Sequence, residues 1–341
     1  MWKSKQFWGG FVGIGLLIFC LKDIRPSTLD ELWARVNLVY LLPAILFSIL
    51  YQMLRTFRWR VLISQQLPLG HVASLPIYGV CSFFSVAMPA LTGQVGKLIF
   101  LSKRLNLRKS FIFSTMFMEI LFDAVSLVFF IILTSAAFVF PSEYRDIGII
   151  VSTVTISLMI IMYLLLHFRE NINGFCRSAL RSKWPGVYIV IRKFLHSFTK
   201  GLTLLKNARN FFSTMSFSLL SWFAHLLVIY FLFLAFGFDL PVVATSVLMI
   251  VNTIVLMIPV APGNAGTFEF AVSRSLSLFS IPISDGVLFA LCLHLVDFLP
   301  IILFGSWYLK TQSQPLSKLL KDVRQPVEEV PAVQSESTVP R

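Results

Sequence analysis

The chain has 341 residues, of which 57% are hydrophobic and only 13% charged, with a mean hydropathy of +0.80. Soluble domains carry roughly a quarter charged residues, so the composition excludes that class and defines an all-α polytopic integral membrane protein. A net charge of +13 does not indicate nucleic acid here. The basic residues fill the gaps between apolar runs, where topology and anionic headgroups account for them.

In chain order, Lys3 and Lys5 precede an apolar run from Phe7 to Leu21. It resembles a signal peptide, but no small-x-small site follows, so it reads as an uncleaved first span. Residues 22–37 are near neutral and suit the outside. A second span, Leu38 to Leu54, ends at Arg55, Arg58, Trp59 and Arg60, a cluster typical of a cytoplasmic interface. From Val72 to Leu101 the chain is apolar but holds Pro76, Pro89, Gly93 and Gly96. It is basic on both flanks, with Arg60 before and Lys103, Arg104, Arg108 and Lys109 after. A single crossing would put one flank on the wrong side, so this stretch reads as a re-entrant hairpin from the cytoplasmic face.

Phe111 to Phe140 crosses, Pro141 to Asp146 turns outside, and Ile147 to His167 returns. The loop 168–210 carries basic residues from Arg169 to Arg209 against one acid, Glu170, and is therefore cytoplasmic. Its interleaved Trp184, Val187 and Tyr188 fit either an interfacial helix or a plain positive-inside loop. Phe211 to Phe236 crosses outward and Gly237 to Pro241 turns outside. Segment 242–281 must then begin and end outside if the last span, Gly286 to Leu309, runs inward to Lys310. This makes about six full spans and two re-entrant, broken-helix hairpins in an inverted repeat, about eight hydrophobic segments in all. Residues 1–310 form the membrane domain, and 311–341 a largely disordered cytoplasmic tail. Both termini lie in the cytoplasm.

Two motifs interrupt the hairpins: Pro89-Ala-Leu-Thr-Gly-Gln-Val-Gly-Lys97 and Pro259-Val-Ala-Pro-Gly-Asn-Ala-Gly-Thr-Phe-Glu269. Pro89, Gly93, Gln94 and Gly96 match Pro259, Gly263, Asn264 and Gly266 at a constant offset, 259 − 89 = 170. If a half-helix starts just after Gly96 and after Gly266, its free N–H groups and positive dipole end point into the membrane and favour a phosphate. Gln94 and Asn264 add amides, Lys97 adds charge, and Arg104 and Arg274 match at the same offset. The bland reading is that Gly and Pro only permit a kink and tight packing.

Other ionisable residues fall at membrane depth: Glu119 and Asp123 at i,i+4, Glu269, and His294 with Asp297 at i,i+3. Each costs a few kcal/mol unless it faces a cavity or a partner. Lys97, Arg104 and Arg274 are the candidate partners. Structural ion pairs, proton coupling by Glu119, Asp123 or Glu269, and acid–base chemistry by Glu119 and Asp123 all stay open. Cys20, Cys81, Cys176 and Cys292 form no CxxC pair and the five histidines show no HExxH spacing, so no disulfide framework, metal or cofactor is expected.

Arg58-Trp59 after an early span, the Pro89 to Gly96 motif, Glu119 and Asp123, and Pro262 to Glu269 together resemble the transmembrane region of the lysylphosphatidylglycerol synthase family, a flippase-like membrane domain, over the chain to about residue 310. The resemblance implies a bacterial or archaeal cytoplasmic-membrane protein that moves lipids between leaflets or serves envelope lipid and glycan pathways. A membrane phospholipid or polyprenyl-linked lipid is then the partner, alongside envelope-biosynthesis enzymes. In the bifunctional synthases a soluble aminoacyl-transferase domain follows; only about thirty residues follow Lys310, too few for such a domain, so lysyl transfer is not expected. Ile120 and His294 stand where the family usually has arginine, and Asn264 where glycine is commoner.

The expectation is a lipid translocator that binds a phosphate-bearing headgroup through Gly93, Gln94, Gly96, Lys97, Arg104, Glu119, Asp123, Gly263, Asn264, Gly266, Glu269 and Arg274. A membrane-embedded transferase with Glu119 or Asp123 as base, or an accessory subunit, is the alternative.

Overall fold

The computed structural model describes residues 36–64, 66–87, 91–140, 142–168, 192, 207–256 and 262–312. The expected span Phe7 to Leu21, most of the basic loop 168–210, nearly all of the tail, and Pro89 and Pro259 lie outside the described residues. Within them the chain is all-helical, with nine α-helices, a 3-10 turn and no strand. The helices are α1 (Leu38–Ile63), α2 (His71–Ala87), α3 (Leu91–Leu105), α4 (Lys109–Ser135), α5 (Ser142–His167), α6 (Ala208–Ala235), α7 (Val242–Leu256), α8 (Thr267–Ser277) and α9 (Ile283–Gln312), with the 3-10 turn at Pro262–Asn264.

Four helices, α1, α4, α6 and α9, are long and apolar enough to cross a membrane. At 1.5 Å per residue they run about 39 to 45 Å, enough to traverse a ~30 Å hydrocarbon core with tilt. By the same rise α2, α3, α7 and α8 are only about 17 to 26 Å long, each short of the core thickness. α1 continues to Ile63 instead of ending near Leu54, which draws the basic cluster into the helix. α5 begins at Ser142, so most of the expected outside turn is helical.

α1 and α6 start from matching caps: Asn37 Oδ1 accepts from the Val39 N–H at 3.1 Å and Asn207 Oδ1 from the Arg209 N–H at 3.0 Å. The two helices pack antiparallel along their length. The Asn37 N–H donates to the Ala235 carbonyl at 2.7 Å, and the ring pairs Phe47–Phe231, Tyr51–His225 and Phe57–Phe217 follow down the contact. α9 lies against α2 and α8, and small residues set the spacing. A Cβ on Gly79 would stand 2.5 Å from the Phe304 Cβ, and one on Gly286 3.0 Å from the Ser273 Cα. One apolar core joins Val228, Phe233, Leu248, Val272 and Phe289; a second joins Trp59, Tyr78, Phe84, Phe100 and Tyr308.

The 170-residue offset of the motifs extends to whole elements. Added to the bounds of α1 it gives 208–233, against α6 at 208–235; to α2, 241–257, against α7 at 242–256; to α4, 279–305, against α9 at 283–312. Asn37 and Asn207, and the buried Ser48 and Ser218, are also 170 apart.

The two motifs nevertheless fold differently. α3 already starts at Leu91, so Gly93, Gln94 and Gly96 lie inside it, and the expected half-helix start after Gly96 is not there. In the second motif Gly263, Asn264 and Gly266 hold φ of 62°, 55° and 85°, and α8 does start after Gly266. Asn enters the left-handed region far more readily than most residues, whereas Gln, with its amide one methylene further out, keeps to the helix.

Candidate functional site

Along α1 a polar stripe recurs at helical spacing: Ser48, Tyr51, Gln52, Arg55, Thr56 and Arg58. Each finds a partner across the bundle or within the helix. Ser48 Oγ donates to the Val296 carbonyl at 2.8 Å, Gln52 Nε2 to Ser82 Oγ at 2.7 Å, and Thr56 Oγ1 to the Gln52 carbonyl at 2.9 Å. The stripe ends at Arg58, which is fully buried. Its Nη1 and Nη2 reach Asp123 Oδ1 and Oδ2 at 2.5 and 3.0 Å, and Nη1 also donates to Ser218 Oγ at 3.1 Å. Trp222 Nε1 adds a third bond to Asp123 at 3.1 Å.

Beside this fork, Arg55 Nη1 donates to the Tyr51 hydroxyl at 3.1 Å, and its Nη2 stands 3.9 Å from Asp123. The Tyr51 ring stacks on His225 with centroids 5.0 Å apart, and His225 Nε2 meets Asp297 Oδ2 at 3.2 Å. Asp123, Trp222 and Asp297 are each the fifteenth residue of α4, α6 and α9, and Tyr51 is the fourteenth of α1. The cluster therefore sits at half depth on all four long helices.

Two smaller polar groups flank it. Glu119 Oε2 accepts from Lys97 Nζ at 2.5 Å and Oε1 from the Tyr78 hydroxyl at 2.9 Å, all three buried. Glu269 Oε2 accepts the Gly266 N–H at 2.6 Å, while Oε1 meets His294 Nδ1 at 2.8 Å. The first turn of α8 thus already holds a carboxylate of its own chain.

Of the residues singled out in the sequence, Lys97 and Glu119 meet each other. Asp123 pairs with Arg58 and not with Lys97, Arg104 or Arg274. Glu269 pairs with His294 rather than Arg274, and His294 and Asp297 go to different partners. Arg104 and Arg274 are exposed, Arg104 over the Tyr308 ring and Arg274 over Phe270. Gly93 and Gly96 are buried and Gln94 is exposed, while Gly263, Asn264 and Gly266 form the turn before α8. The interfacial reading of Arg58 and Trp59 is corrected, since both are fully buried. The sequence reading missed Tyr51, Arg55, Arg58, Trp222 and His225 as site residues. The i, i+4, i+7 spacing of Tyr51, Arg55 and Arg58 is the signal for those three, and the i, i+3 pair of Trp222 and His225 in an apolar run is a weaker one for the others.

A charge at membrane depth is tolerated when it is paired or faces a cavity. Here the fork–fork pair of Arg58 and Asp123 and the Lys97–Glu119 pair neutralise each other within hydrogen-bond reach. With two bonds to Glu119 and three to Asp123, these carboxylates hold helices together, and neither is a bare base. Between the long helices this polar cluster is partly accessible: Arg55 and Asp123 side chains are 32% and 25% exposed, and Asp297 20%.

Such an arrangement belongs to a multi-pass helical membrane protein with a charged interior. The family profile for the Lysylphosphatidylglycerol synthase TM region matches residues 6–305, and the chain belongs to that family. It is 26% identical over 225 residues to a UPF0104 membrane protein of Methanocaldococcus jannaschii, covering 66% of this chain and 92% of the relative. A UPF0104 membrane protein of Pyrococcus horikoshii is 24% identical over 88% of this chain and 96% of its own. No solved structure matches the chain.

Proposed function

We propose that this protein is a lipid translocator that carries a phosphate-bearing lipid, or a lipid-linked precursor, between the leaflets of the cytoplasmic membrane. The polar headgroup passes through the interior while the hydrocarbon chains stay in the bilayer. The observation that carries the reading is the charged cluster at half depth on α1, α4, α6 and α9. Transporter sites built from repeats lie near the midplane, at the repeat interface.

The repeat reading draws support from the 170-residue offset of whole elements and from the antiparallel packing of α1 against α6, the two helices that correspond at that offset. Equivalent helices running in opposite directions are what an inverted repeat requires. In this reading α2 with α3, and α7 with α8, are re-entrant hairpins entering from opposite faces, and six full spans complete the domain. The shortness of these four helices favours it. The ion pairing of Glu119 with Lys97 and of Asp123 with Arg58, which commits each carboxylate to a cation, favours transport over a transferase that uses either as base.

Reconstitution in liposomes with a labelled phospholipid panel tests the proposal. Wild-type protein is expected to accelerate flip, and Lys97→Ala and Gly266→Leu to lose most of that acceleration. Equal rates for all three would sink it.

A further inference from the structure

The cations of the half-depth cluster differ in what they have left to offer. Arg58 is fully buried, with both terminal nitrogens engaged by Asp123 and Ser218 and an Nε that has no partner and no access. Arg55 spends one nitrogen on Tyr51. Its Nη2 stands 3.9 Å from Asp123, beyond hydrogen-bond distance, and its Nε has no partner. That Nε is buried, but the side chain as a whole is 32% exposed, so Nη2 is left as a spare donor on a partly accessible side chain.

Across Tyr51 the spare capacity has the opposite sense. Where His225 donates from Nε2 to Asp297, its Nδ1 is a bare acceptor. That atom and Asp297 Oδ1 are buried without a partner, and His225 as a whole is 7% exposed. Tyr51 joins the two sides: its hydroxyl accepts from Arg55 and its ring stacks on His225. Buried polar groups are normally satisfied. With Arg55 on one side of Tyr51 and the unfilled acceptors of His225 and Asp297 on the other, the group suits a ligand that carries both an acceptor and a donor.

We propose that Arg55, Tyr51, His225 and Asp297 form the headgroup subsite of the translocator inferred above. Arg55 grips the phosphodiester through Nη2, while Asp297 and His225 accept from a hydroxyl or ammonium beside it. This rests on the translocator reading for its lipid. Arg55 and Arg58 balance Asp123 and Asp297 in charge, so an ammonium-bearing head group enters without net charge and a hydroxyl-bearing one adds a single negative charge.

The test is lipid binding to the purified full chain by native mass spectrometry, using short-chain phosphatidylethanolamine, phosphatidylglycerol and phosphatidylcholine. The first two carry an N–H or O–H donor and the third does not. The expected result is tighter binding of one or both donor lipids than of phosphatidylcholine. Arg55→Gln should weaken all three by about ten-fold or more, the scale of a charge-assisted phosphate contact. Asp297→Asn should erase the preference over phosphatidylcholine, and the exposed Arg145→Gln should change nothing. If Arg55→Gln does not remain monodisperse, Arg55→Lys and Tyr51→Phe are used, each expected to bind several-fold more weakly.

Equal binding of the three lipids by wild type, or wild-type binding by the Arg55 variants, overturns the subsite. Flip that persists with Arg55-independent binding overturns the subsite and spares the translocator. Arg55-dependent binding without flip does the reverse.

Discussion

At the level of single residues, Arg58 and Asp123 make a demanding contact: a fully buried guanidinium against a carboxylate 65 positions away in sequence. Removing Arg58 takes away the bidentate partner of Asp123, which Trp222 and the more distant Arg55 replace only in part. Arg58→Leu alone is therefore expected to cost about 3–5 kcal/mol, whereas Arg58→Leu with Asp123→Leu should recover much of that loss. Unfolding of the detergent-solubilised variants, read as a double-mutant cycle, measures this; additive losses would mean the two side chains do not couple. The turn before α8 supplies a second residue-scale prediction. Gly266 sits at φ 85°, so Gly266→Ala should cost about 1–2 kcal/mol by the same unfolding assay. Asn264→Gly, at φ 55°, should be close to neutral, because glycine adopts that conformation freely. The carboxylates were legible in the sequence because acids inside apolar runs stand out. Lys97, the partner of Glu119, was among the candidates, but the partner of Asp123 was not: Arg58 sits in a run of basic residues that also fits a membrane interface, and only burial tells the two apart.

Among the elements, the long helices follow directly from hydrophobic length, and the hairpins from the proline and glycine breaks. What sequence reasoning misjudged was the inner half of the first hairpin. Matching Gly93-Gln94-Val95-Gly96 to Gly263-Asn264-Ala265-Gly266 treated glutamine and asparagine as equivalent, yet only asparagine is at home at positive φ, and α3 runs through its motif while α8 begins after its own. Helix contacts were likewise hidden, because a glycine does not reveal which backbone approaches it. Gly79 shows this: a Cβ there meets Phe304 and the Gly305 backbone within 2.8 Å. Gly79→Ala must push α2 off α9, and is expected to lower the midpoint of thermal unfolding by several degrees. Gly70→Ala is the control, since nothing lies within 4 Å of its Cβ position. Equal midpoints for the two variants would show that the α2–α9 contact is looser than drawn.

For the molecule as a whole, the charge map and the packing speak to the same geometry from independent directions. From the sequence, the charge map predicts a cytoplasmic entrance for the first hairpin and an outside one for the second, chiefly through the basic segment 168–210. The helix packing, which involves none of those loop charges, sets α1 antiparallel to its 170-offset counterpart α6. A parallel duplication would leave two such helices crossing in the same direction, and the two hairpins would then open to the same face. In the proposed translocator, opposed hairpins around the half-depth polar cluster would give a headgroup an approach from either leaflet, which is what alternating access needs. The distinction is measurable with single cysteines at Gln94 and Asn264, introduced after Cys20, Cys81, Cys176 and Cys292 are replaced by serine. In oriented vesicles a membrane-impermeant maleimide is expected to label Gln94→Cys from the cytoplasmic side and Asn264→Cys from the outside. Labelling of both from one face would replace the inverted repeat by a parallel one. Labelling of each from the wrong face would reverse the orientation of the whole domain while keeping its symmetry.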